Sequence, residues 1–598
     1  MKFDGVPRPT ANPWSRDLPG PLLADCFVGL ASLGVYLATL APTITTGDSG
    51  DLITAAVRLE VAHPTGYPLY LLLGRVWLAL FGFLEPALAL NLFSACSASL
   101  AVVLTRRLVE TMTGERGVSI AAAMLLGFSA SFWSQATAAR VYVLSALLAL
   151  LVLGAAFRPG HGLRGSSRAF FWLGLALANH PVTIIVLPVL VERAWRKSPR
   201  VQDLLVRTMW VLPGLLLYLY IPLAARRSSL SLWGRPDTWE GLIHYLLRLD
   251  YWDRGTVAGG TDVLRLLAHY LSRSVTELAL PGVLLALAGL VLWRRRWQRW
   301  EYWIGPYLFV ANVAVMAAHG SSFDIYHWNR YLILGWLGLV LVTALGMTSV
   351  VHRVRPARFG ALLLTLVPVL TLVLNWEHGN RSGNTLARDF AAAILDTAAP
   401  HAVILAESDT VLFPLMYLHR VEHRRPDVDL VMLGVSHIGE RRLELGSRPI
   451  YLTHFREPAG SSLHLVLEGP CYRLEPSGGG LPPKRLALVD DAPSTPIHPH
   501  ARMRIGPDAA TWTLPSFEEL QQPSRLRYND RALVSHYWQL RAAALAAHDP
   551  ERATASALLA LRLDPDWPLT PLAVQATLAR IAQPGTPGDG SPSVPVRE

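Results

Sequence analysis

Long apolar runs dominate the first 376 residues and predict a chain that crosses a membrane many times. A helix needs about 20 mostly apolar residues to cross about 30 Å of hydrocarbon, because no water there satisfies its backbone groups. This pattern predicts a polytopic, mainly α-helical membrane domain over residues 22–376. The clear runs lie at 22–41, 87–105, 118–135, 140–157, 203–224, 278–293, 302–319, 331–350 and 358–376.

Two further apolar segments fit a single span less well. Residues 67–84 carry Arg75 in mid-run, and residues 169–195 are long for one crossing and short for two. Basic clusters decide between the options, because cytoplasmic loops hold the excess of arginine and lysine. Such clusters occur at Lys2, Arg8 and Arg16, at Arg106, Arg107 and Arg116, at Arg158, Arg164 and Arg168, at Arg193, Arg196, Lys197 and Arg200, at Arg294, Arg295, Arg296 and Arg299, and at Arg353, Arg355 and Arg358.

These clusters fall on one side of the membrane under one particular threading. It requires residues 67–84 to lie in the interface as an amphipathic helix and residues 169–195 to enter and return as a short hairpin. The chain then makes about eleven crossings, with residues 1–21 cytoplasmic and everything after 377 outside. We expect the run at 22–41 to be a retained first helix, because it lacks a small-x-small cleavage site and many spans follow.

The region after residue 376 changes character. Its segments HAVILAES, DLVMLGV and LHLVLEG predict buried strands, with a helix at 385–397 before the first, so residues 377–525 are expected to form an α/β domain. Residues 526–582 resemble a tetratricopeptide unit, which either stands as a helical unit or caps the α/β domain. The Pro/Gly/Ser-rich end, 583–598, is predicted to be disordered.

Composition excludes several classes of protein. Only 16% of the residues are charged and 52% are hydrophobic, whereas soluble proteins carry about 25% charged residues. The net charge of +10 does not predict a nucleic-acid partner, because apolar runs interrupt the basic residues. Cys26, Cys96 and Cys471 form no disulfide framework or CxxC motif, so we expect no metal site. The strong preference for arginine over lysine indicates a GC-rich bacterial source.

The first outer loop, expected at residues 42–86, combines carboxylates, a histidine and a proline-rich turn. Asp48 or Ser49 can cap a helix and Asp51 fits its first turn, so one interpretation is a well-capped surface helix. The other is catalytic, since a carboxylate beside a low dielectric has its pKa raised towards what a general base needs. The nearby His63 and the HPTGYP turn favour the catalytic interpretation, with Asp48 as the leading candidate for the general base.

Asn179 and His180 precede Pro181 in the middle of the apolar segment 169–195. They could simply satisfy the backbone groups that a helix break frees. Polar groups at this depth are expensive, however, and usually face a cavity or a partner. Their expected position in the outer half of the membrane favours side chains that line a cavity.

A minority of arginines oppose the positive-inside bias. A lone arginine near a helix end normally snorkels to the interface, but as a set these residues suit a lipid phosphate, because the guanidinium group matches phosphate oxygens. The outer loop at 320–330 adds Asp324 and His327, which an aromatic membrane belt does not explain. The outward arginines are Arg75, Arg140, Arg226, Arg227 and Arg330.

Several of these motifs together resemble the transmembrane protein O-mannosyltransferase family of bacteria and eukaryotes. The match covers residues 20–240, with a fainter echo at Arg425–Val428. The family looks like the GT-C glycosyltransferases, in which the first outer loop carries the catalytic aspartate and includes an interfacial helix. The shared motifs are Thr46-Gly47-Asp48-Ser49-Gly50-Asp51, His63-Pro64-Thr65-Gly66-Tyr67-Pro68, Trp133-Ser134-Gln135, Asn179-His180 and Trp233-Gly234.

The resemblance implies a transferase that moves a sugar, mannose by analogy, from a polyprenyl-phosphate sugar to a hydroxyl on an exported protein or glycan. Asp48 would be the base and Asp51 its neighbour, which orients the acceptor or His63. Arg226 or Arg227, together with Arg330, would bind the phosphate. The reaction would invert the anomeric carbon and use no cofactor. The other substrate-binding residues implied are His63, Tyr67, Asn179, His180, Asp324 and His327.

One departure and two alternatives accompany this hypothesis. Family members often show Glu where this chain has Arg140 before Val141 and Tyr142. A lipid-linked glycan transporter would show repeats or paired broken helices, of which only one candidate hairpin is visible. A non-catalytic membrane scaffold would leave the carboxylates of the first loop unexplained. The expected location is the bacterial inner membrane, with the C-terminal domain outside.

Overall fold

The computed structural model describes residues 19–157, 162–227, 233, 235–249, 260–293, 300–319, 329–354, 357–432, 448–454, 463–476, 528–546, 549–564 and 569–582. The chain forms two compact units, one made mainly of residues up to Thr385 and the other mainly of residues from Leu386 onward.

The first unit is built from helices. They are α1 (Pro19–Ala38), α2 (Ser49–Arg58), α3 (Pro68–Leu80), α4 (Pro86–Thr113), α5 (Arg116–Gly127), α6 (Ala130–Ala136), α7 (Tyr142–Phe157), α8 (Gly162–Asn179), α9 (Leu187–Lys197), α10 (Val201–Thr208), α11 (Leu212–Leu215), α12 (Tyr220–Arg227), α13 (Trp239–Leu246), α14 (Gly260–Trp293), α15 (Trp300–His319), α16 (Ile333–Val351), α17 (Ala357–Leu374) and α18 (Trp376–Gly379).

The predicted membrane domain is confirmed as helical and apolar. Among the described residues, five helices are long and apolar enough to cross a membrane, and helices of 10–17 residues occupy other predicted spans. The number of crossings and their orientation stay predictions. The long candidates are Gly20–Ala38, Pro86–Thr113, Val201–Arg227, Gly260–Leu292 and Arg330–Val351.

The segment at 67–84 forms a separate short helix. Helix α3 has 13 residues, and at 1.5 Å per residue it is about 20 Å long, which is too short to cross the hydrocarbon. Its residues Val76 and Leu80 are 58% and 68% exposed. Both facts agree with the prediction that this segment does not span, and its place in the interface stays a prediction.

The segment at 169–195 breaks where the sequence predicted. Helix α8 ends at Asn179, a 3-10 helix covers Pro181–Val186, and α9 begins at Leu187. His180 has an extended backbone, and its Nδ1 accepts a hydrogen bond from the Val182 N–H at 3.1 Å. The proline prevents a continuous helix, and the histidine side chain satisfies a freed donor.

The run at 118–135 was predicted as a span, and the structure divides it into two helices that together are apolar enough to cross a membrane. Helices α5 and α6 are bent by 68° at Phe128 and Ser129. The buried Glu277 of α14 holds the start of α6, because the backbone N–H and the hydroxyl of Ser131 both donate to its carboxylate, at 2.9 and 2.5 Å. A carboxylate at a helix N-terminus stabilises the unpaired N–H groups there.

The stretch 225–277 contains none of the predicted apolar runs, yet it includes α13 and the first half of α14. Helix α14 is interrupted at Ala279, which has φ 56 and ψ 163, two residues before Pro281. The first half is amphipathic, and its Leu266 and Tyr270 are buried against Trp336. Sequence inspection missed it because charged residues such as Arg265 and Arg273 lower the mean hydropathy of the segment.

Close helix packing in this unit depends on glycine. A Cβ atom at Gly346 of α16 would collide with the carbonyl group of Leu285 in α14, and one at Gly338 would lie 2.6 Å from the carbonyl oxygen of Gly305 in α15. Small residues let helix backbones approach closely, which strengthens dispersion contacts where lipid removes the hydrophobic driving force.

A buried charge cluster joins α1 to α4. Arg106, which is fully buried, donates from Nε to Asp25 at 2.6 Å and from Nη1 to Glu110 at 2.5 Å. Arg107 contacts the other Asp25 oxygen at 2.7 Å. We call Asp25, Arg106, Arg107 and Glu110 the α1–α4 cluster. Its two acids and two arginines compensate each other, as buried charges must.

The second unit contains the predicted α/β domain. Helix α19 (Leu386–Thr397) precedes β1 (Val403–Ala406), and α20 (Asp409–Arg420) connects β1 to β2 (Asp429–Met432). The remaining strands are β3 (Ile450–Leu452), β4 (Leu463–Glu468) and β5 (Cys471–Pro476), in the sheet order β2-β1-β3-β5-β4. Strands β1, β2 and β3 are parallel, and β3, β5 and β4 pair antiparallel.

The predicted strands at HAVILAES, DLVMLGV and LHLVLEG are therefore confirmed as β1, β2 and β4, and the predicted helix at 385–397 as α19. Helices α21 (Tyr528–Leu545), α22 (Pro550–Leu563) and α23 (Leu569–Ala582) follow. Their likeness to tetratricopeptide helices stays a prediction, and the segment 583–598 lies outside the described residues.

Candidate functional site

The carboxylate of Asp48 lies at the centre of the candidate site. Asp48 immediately precedes α2, yet its side chain makes no capping hydrogen bond to that helix, and only 5% of the residue is exposed. Gly47, with φ 75, makes the tight turn that leads into it. The interpretation of this segment as a capped surface helix is therefore wrong, because the carboxylate points to partners elsewhere in the chain.

Those partners are two buried arginines. Arg330 approaches Asp48 with Nη1 at 3.2 Å and Nη2 at 3.4 Å from the two carboxylate oxygens. Arg140 lies on the other side, with Nη1 at 3.8 Å from Oδ2. Arg140 is fixed by hydrogen bonds from its Nη2 to the carbonyl of Thr46 at 2.5 Å and the hydroxyl of Thr45 at 3.4 Å. We call Asp48, Arg140 and Arg330 the arginine–aspartate site.

The predicted direction of the Asp48 pKa shift is wrong. Burial raises the pKa of this carboxyl, but the charges of Arg330, of His63 when its ring is protonated, and of Arg140 more than offset that effect and hold the pKa at about 2. Arg248, just after α13, acts on the pKa in the same direction. Asp48 is consequently ionised at any physiological pH, and it needs no prior deprotonation before it can accept a proton.

Asp51, His63 and Tyr67 form a hydrogen-bonded chain beside Asp48. Asp51 accepts from the backbone N–H of His63 at 2.9 Å and lies 2.7 Å from the His63 Nδ1 atom. The other ring nitrogen, Nε2, lies 2.9 Å from the Tyr67 hydroxyl. Burial raises the pKa of the Tyr67 hydroxyl well above its usual range, so this hydroxyl keeps its proton and donates. We call these three residues the Asp–His–Tyr chain.

Aromatic rings line the space around the Arg330 guanidinium. Its Cζ atom lies 5.6 Å from the ring centre of Tyr142 and 5.4 Å from that of Tyr331. The ring of His180 stacks on Tyr67 at 5.7 Å and contacts Tyr142 at 5.3 Å. Cation–π contacts stabilise a guanidinium away from water without removing its hydrogen-bonding capacity.

The structure divides the predicted site residues into three groups. The residues of the first group lie around the arginine–aspartate site. The second group, Asn179, Arg226 and Arg227, has other contacts or positions. The third group, Asp324 and His327, lies outside the described residues. The residues that meet are Asp48, Asp51, His63, Tyr67, His180 and Arg330.

Asn179 was predicted to line the pocket, but its amide has a structural role. Its Nδ2 donates to the carbonyl of Val141 at 3.0 Å and to the hydroxyl of Ser145 at 2.8 Å. Asn179 therefore anchors the start of α7, directly after Arg140. The Val141 carbonyl also accepts the intrahelical hydrogen bond from the Ser145 N–H at 3.0 Å, so it is not a group freed by the break at Pro181. Whether Asn179 also lines a cavity stays a prediction.

Arg226 and Arg227 were predicted to bind phosphate, but they are exposed at the end of α12. Within the described part of the chain, neither forms an ion pair or hydrogen bond with the residues of the site. Arg140 stands beside Asp48 in their place. Phosphate binding by Arg226 and Arg227 stays a prediction. The sequence did not identify Arg140 as a partner of Asp48, because the position of Arg140 depends on how loop 137–141 returns to the first outer loop.

Sequence reasoning also missed Tyr142, Tyr331 and Arg248. Two of them carry a weak signal, since Arg140-Val141-Tyr142 and Arg330-Tyr331 each place an arginine within two residues of a tyrosine at the start of an apolar run. Arg248 shows no such signal. Among the described residues, no group of three or more His, Cys, Asp or Glu side chains is arranged to hold a metal ion.

Comparisons with known proteins agree with the motif-based resemblance. Residues 48–202 match the family model described as the protein O-mannosyl-transferase TMEM260 N-terminal domain. The mouse protein O-mannosyl-transferase TMEM260 is 28% identical over 460 residues, which cover 71% of this chain and 64% of the mouse protein. The protein of the same name from Dictyostelium discoideum is 21% identical over 461 residues, covering 67% and 56% of the two chains.

The chain thus spans less than two thirds of the length of these relatives. Among solved structures, it is similar to the oligosaccharyltransferase of Archaeoglobus fulgidus, with a TM-score of 0.46, 12% identity, and coverage of 67% of this chain and 61% of that one. It is also similar to ArnT from Cupriavidus metallidurans bound to undecaprenyl phosphate, with a TM-score of 0.44, 12% identity, and coverage of 73% and 93%. The sequence matches confirm the resemblance to the O-mannosyltransferase family.

Proposed function

We propose that this protein is a membrane glycosyltransferase that moves a sugar from a polyprenyl-phosphate sugar to a hydroxyl of an exported protein or glycan. The named relatives favour mannose as the sugar. The reaction would take place at the extracytoplasmic face of a bacterial cytoplasmic membrane, where the predicted orientation puts the first outer loop. The observation that carries the proposal is the buried arginine–aspartate site, with two arginines around one carboxylate.

The charge of the arginine–aspartate site suits a phosphate that gains charge during the reaction. Two arginines and one carboxylate leave one positive charge, and Arg248 contributes another close by. A polyprenyl-phosphate sugar is a phosphodiester with one negative charge, and the released phosphate monoester approaches two near neutral pH. A site that matches the product phosphate better than the substrate phosphate stabilises the transition state more than the bound donor.

Asp48 would act as the general base in the same step. The arginines that lower its pKa are the groups that would turn to the leaving phosphate as its charge grows. Each guanidinium that shifts towards phosphate weakens its hold on Asp48, and the pKa of that carboxyl then rises. Departure of the phosphate would in this way make Asp48 a stronger base at the moment when the acceptor hydroxyl must lose its proton.

The aromatic residues would hold the sugar between the phosphate and the acceptor. Tyr67, Tyr142, His180 and Tyr331 present ring faces and edges around Arg330. Aromatic side chains offer large apolar faces with polar edges, which suit the apolar faces of a sugar ring. Direct attack by the hydroxyl on the anomeric carbon predicts an inverted product.

The test uses the full-length protein in proteoliposomes with radiolabelled mannosyl-phosphoryl-undecaprenol and a periplasmic protein extract. We expect the label to pass from the lipid phase to the protein fraction, and Asp48→Asn to abolish this passage. Asp237→Asn is the matched control, since Asp237 also pairs with an arginine, at 3.7 Å, but is partly exposed. Undiminished transfer by Asp48→Asn would remove the base assignment. Label that crosses the bilayer without leaving its lipid would indicate a transporter instead.

A further inference from the structure

We propose that Asn91 and Ser94 of α4 are positioning residues, which hold Arg140 so that its Nη1 atom stays available for the donor phosphate. This inference rests on the proposed function, because it takes a lipid phosphate as the ligand of Arg140. It goes beyond that function by assigning a task to two polar residues inside a helix that is predicted to span the membrane. Both lie on the same face of α4, three positions apart, and at most 1% of either residue is exposed.

Asn91 joins the start of the first outer loop to loop 137–141. Its Nδ2 atom donates hydrogen bonds to the carbonyls of Ala41 at 2.9 Å and Thr43 at 3.0 Å. Its Oδ1 atom accepts a hydrogen bond from the backbone N–H of Ala139 at 2.7 Å. One buried amide thus uses both of its donors and its acceptor to fix the distance between two loops, which carry the carboxylate and one guanidinium of the arginine–aspartate site.

Ser94 holds the backbone of Arg140 itself. The Arg140 N–H donates to the Ser94 hydroxyl at 3.2 Å, and that hydroxyl donates to the Leu90 carbonyl at 3.3 Å. On the other side of Arg140, the Val141 carbonyl accepts a hydrogen bond from the Asn179 amide at 3.0 Å. Side chains of α4 and α8 therefore anchor the backbone before, at and after Arg140, and such a satisfied network makes the loop rigid.

The guanidinium of Arg140 is fixed at one end and open at the other. Its Nη2 atom donates to the Thr46 carbonyl and the Thr45 hydroxyl. Its Nη1 atom is buried, stands 3.8 Å from the Asp48 carboxylate, and has no hydrogen-bond partner in the described part of the chain. Arginines that form a hydrogen-bonded ion pair approach a carboxylate to about 2.8 Å, so Nη1 stops about 1 Å short of such a bond.

This open donor indicates a ligand. A buried N–H group without an acceptor raises the free energy of the folded state, and a phosphate oxygen would satisfy it. The anchors keep the donor open, because they hold the backbone of Arg140 back from Asp48. Arg140 can then bind phosphate through Nη1 while Nη2 keeps its partners. A cation that is in place before the reaction stabilises the growing phosphate charge without a cost of reorganisation.

The main test compares Ser94→Ala with Ser97→Ala. Ser97 lies one turn further along α4, is 4% exposed, and bonds the Phe93 carbonyl of its own helix at 2.8 Å. Two quantities are measured on the full-length protein, namely binding of radiolabelled undecaprenyl phosphate in detergent micelles and mannosyl transfer in proteoliposomes. We expect Ser94→Ala to weaken binding and slow transfer about fivefold, because Arg140 loses one anchor. Ser97→Ala should match the wild type in both.

A double-mutant cycle separates positioning from helix packing. If Ser94 acts through Arg140, adding Ser94→Ala to Arg140→Gln should weaken undecaprenyl phosphate binding by less than about a further twofold. A serine that only packs helices would cost the same factor in both backgrounds.

Asn91→Ala provides a second variant with a larger effect. It frees loop 137–141 and the start of the first outer loop together, so the transfer rate per folded molecule should fall about 50-fold. Ser94→Ala removes a single oxygen atom and keeps the test decisive if Asn91→Ala does not fold.

Three results would overturn the positioning role. They are wild-type binding and transfer in Ser94→Ala, a loss that remains in full when Arg140 is already replaced, and a wild-type protein that does not bind undecaprenyl phosphate. The proposed function fails separately. If the wild-type protein binds undecaprenyl phosphate but transfers no mannose, the transferase assignment is wrong, and the binding cycle still decides the role of Ser94.

Discussion

In the described part of the helical unit, two buried groups of aspartate and arginine differ in a way that separates structure from function. In the α1–α4 cluster, Arg106 and Arg107 approach Asp25 to 2.6 and 2.7 Å, and Glu110 supplies the second negative charge. In the arginine–aspartate site, the arginines stand 3.2 and 3.8 Å from a single carboxylate. The first group is compact and compensated; the second is looser and carries a surplus positive charge.

This difference indicates which group has room for a ligand. A compensated cluster has no reason to attract an anion, and its short contacts would have to break to admit one. A surplus positive charge in a low dielectric attracts an anion strongly. Arginines held by longer contacts can also turn from the carboxylate to an anion at a small cost in free energy. The comparison therefore predicts opposite consequences for the same substitution in the two groups.

The largest effect is expected for Arg330→Gln. Loss of this guanidinium removes the closest cation from the proposed phosphate position, so the transfer rate should fall about 1,000-fold, the upper range for one electrostatic donor. The unfolding temperature in detergent should fall less than that of Arg106→Gln, because Arg140 stays beside Asp48. Arg265→Gln, in a largely exposed ion pair with Asp262, serves as the control. A loss of less than tenfold would place the phosphate elsewhere.

Arg106→Gln should show the reverse behaviour. It leaves Asp25 and Glu110 without their fully buried partner, and such a break costs about 3–5 kcal/mol. Denaturant unfolding in mixed micelles would show this loss, whereas transfer per folded molecule should equal that of the wild type. A stable but inactive Arg106→Gln protein would contradict the structural role of the α1–α4 cluster.

A smaller effect is expected from the pH dependence of stability. The Asp48 pKa is held at about 2 in the fold, against an ordinary value of 3.8. A lowered pKa stabilises the folded state above the ordinary value, and the contribution is lost as the pH falls from about 4 to about 2. Its size is about 2 kcal/mol. The difference in unfolding free energy between the wild type and Asp48→Asn should shrink over that window, and a constant difference would contradict the ion pairs.

The smallest effect is expected for the double variant Arg226→Gln with Arg227→Gln. Both side chains are exposed and lie outside the arginine–aspartate site, so the transfer rate should stay within about twofold of the wild type. Under the same conditions, the transfer rate of Arg140→Gln should be clearly lower than that of the double variant. A loss in the double variant as large as that of Arg330→Gln would restore the assignment made from the sequence.

Much of the fold could be predicted because it depends on local patterns. Apolar runs located the helices, and the break at His180-Pro181 follows from proline chemistry within a few residues. Strands β1, β2 and β4 stood out as short β-rich apolar segments. The bend between α5 and α6 and the first half of α14 were missed, because the bend involves the distant Glu277 and the half-helix buries only one face.

The candidate site shows the same contrast between features set by local sequence and features set by distant residues. Asp48, Asp51, His63 and Tyr67 belong to one short segment whose composition is unusual for a membrane loop. The choice between Arg140 and the pair Arg226 and Arg227 depends on which outer loop folds back onto Asp48, and no single stretch of sequence contains that information. The sign of the Asp48 pKa shift failed for the same reason, since it is set by arginines distant in sequence.

The separation between Asp48 and Arg330 has a consequence for biogenesis. The two residues are 282 positions apart, so a nascent chain that has already inserted its first helices carries the acid and the Asp–His–Tyr chain long before Arg330 is synthesised. An incomplete or wrongly inserted chain lacks the cation on which donor binding is proposed to depend. The protein would therefore become able to use the lipid-linked sugar only when the last part of the helical unit is in place.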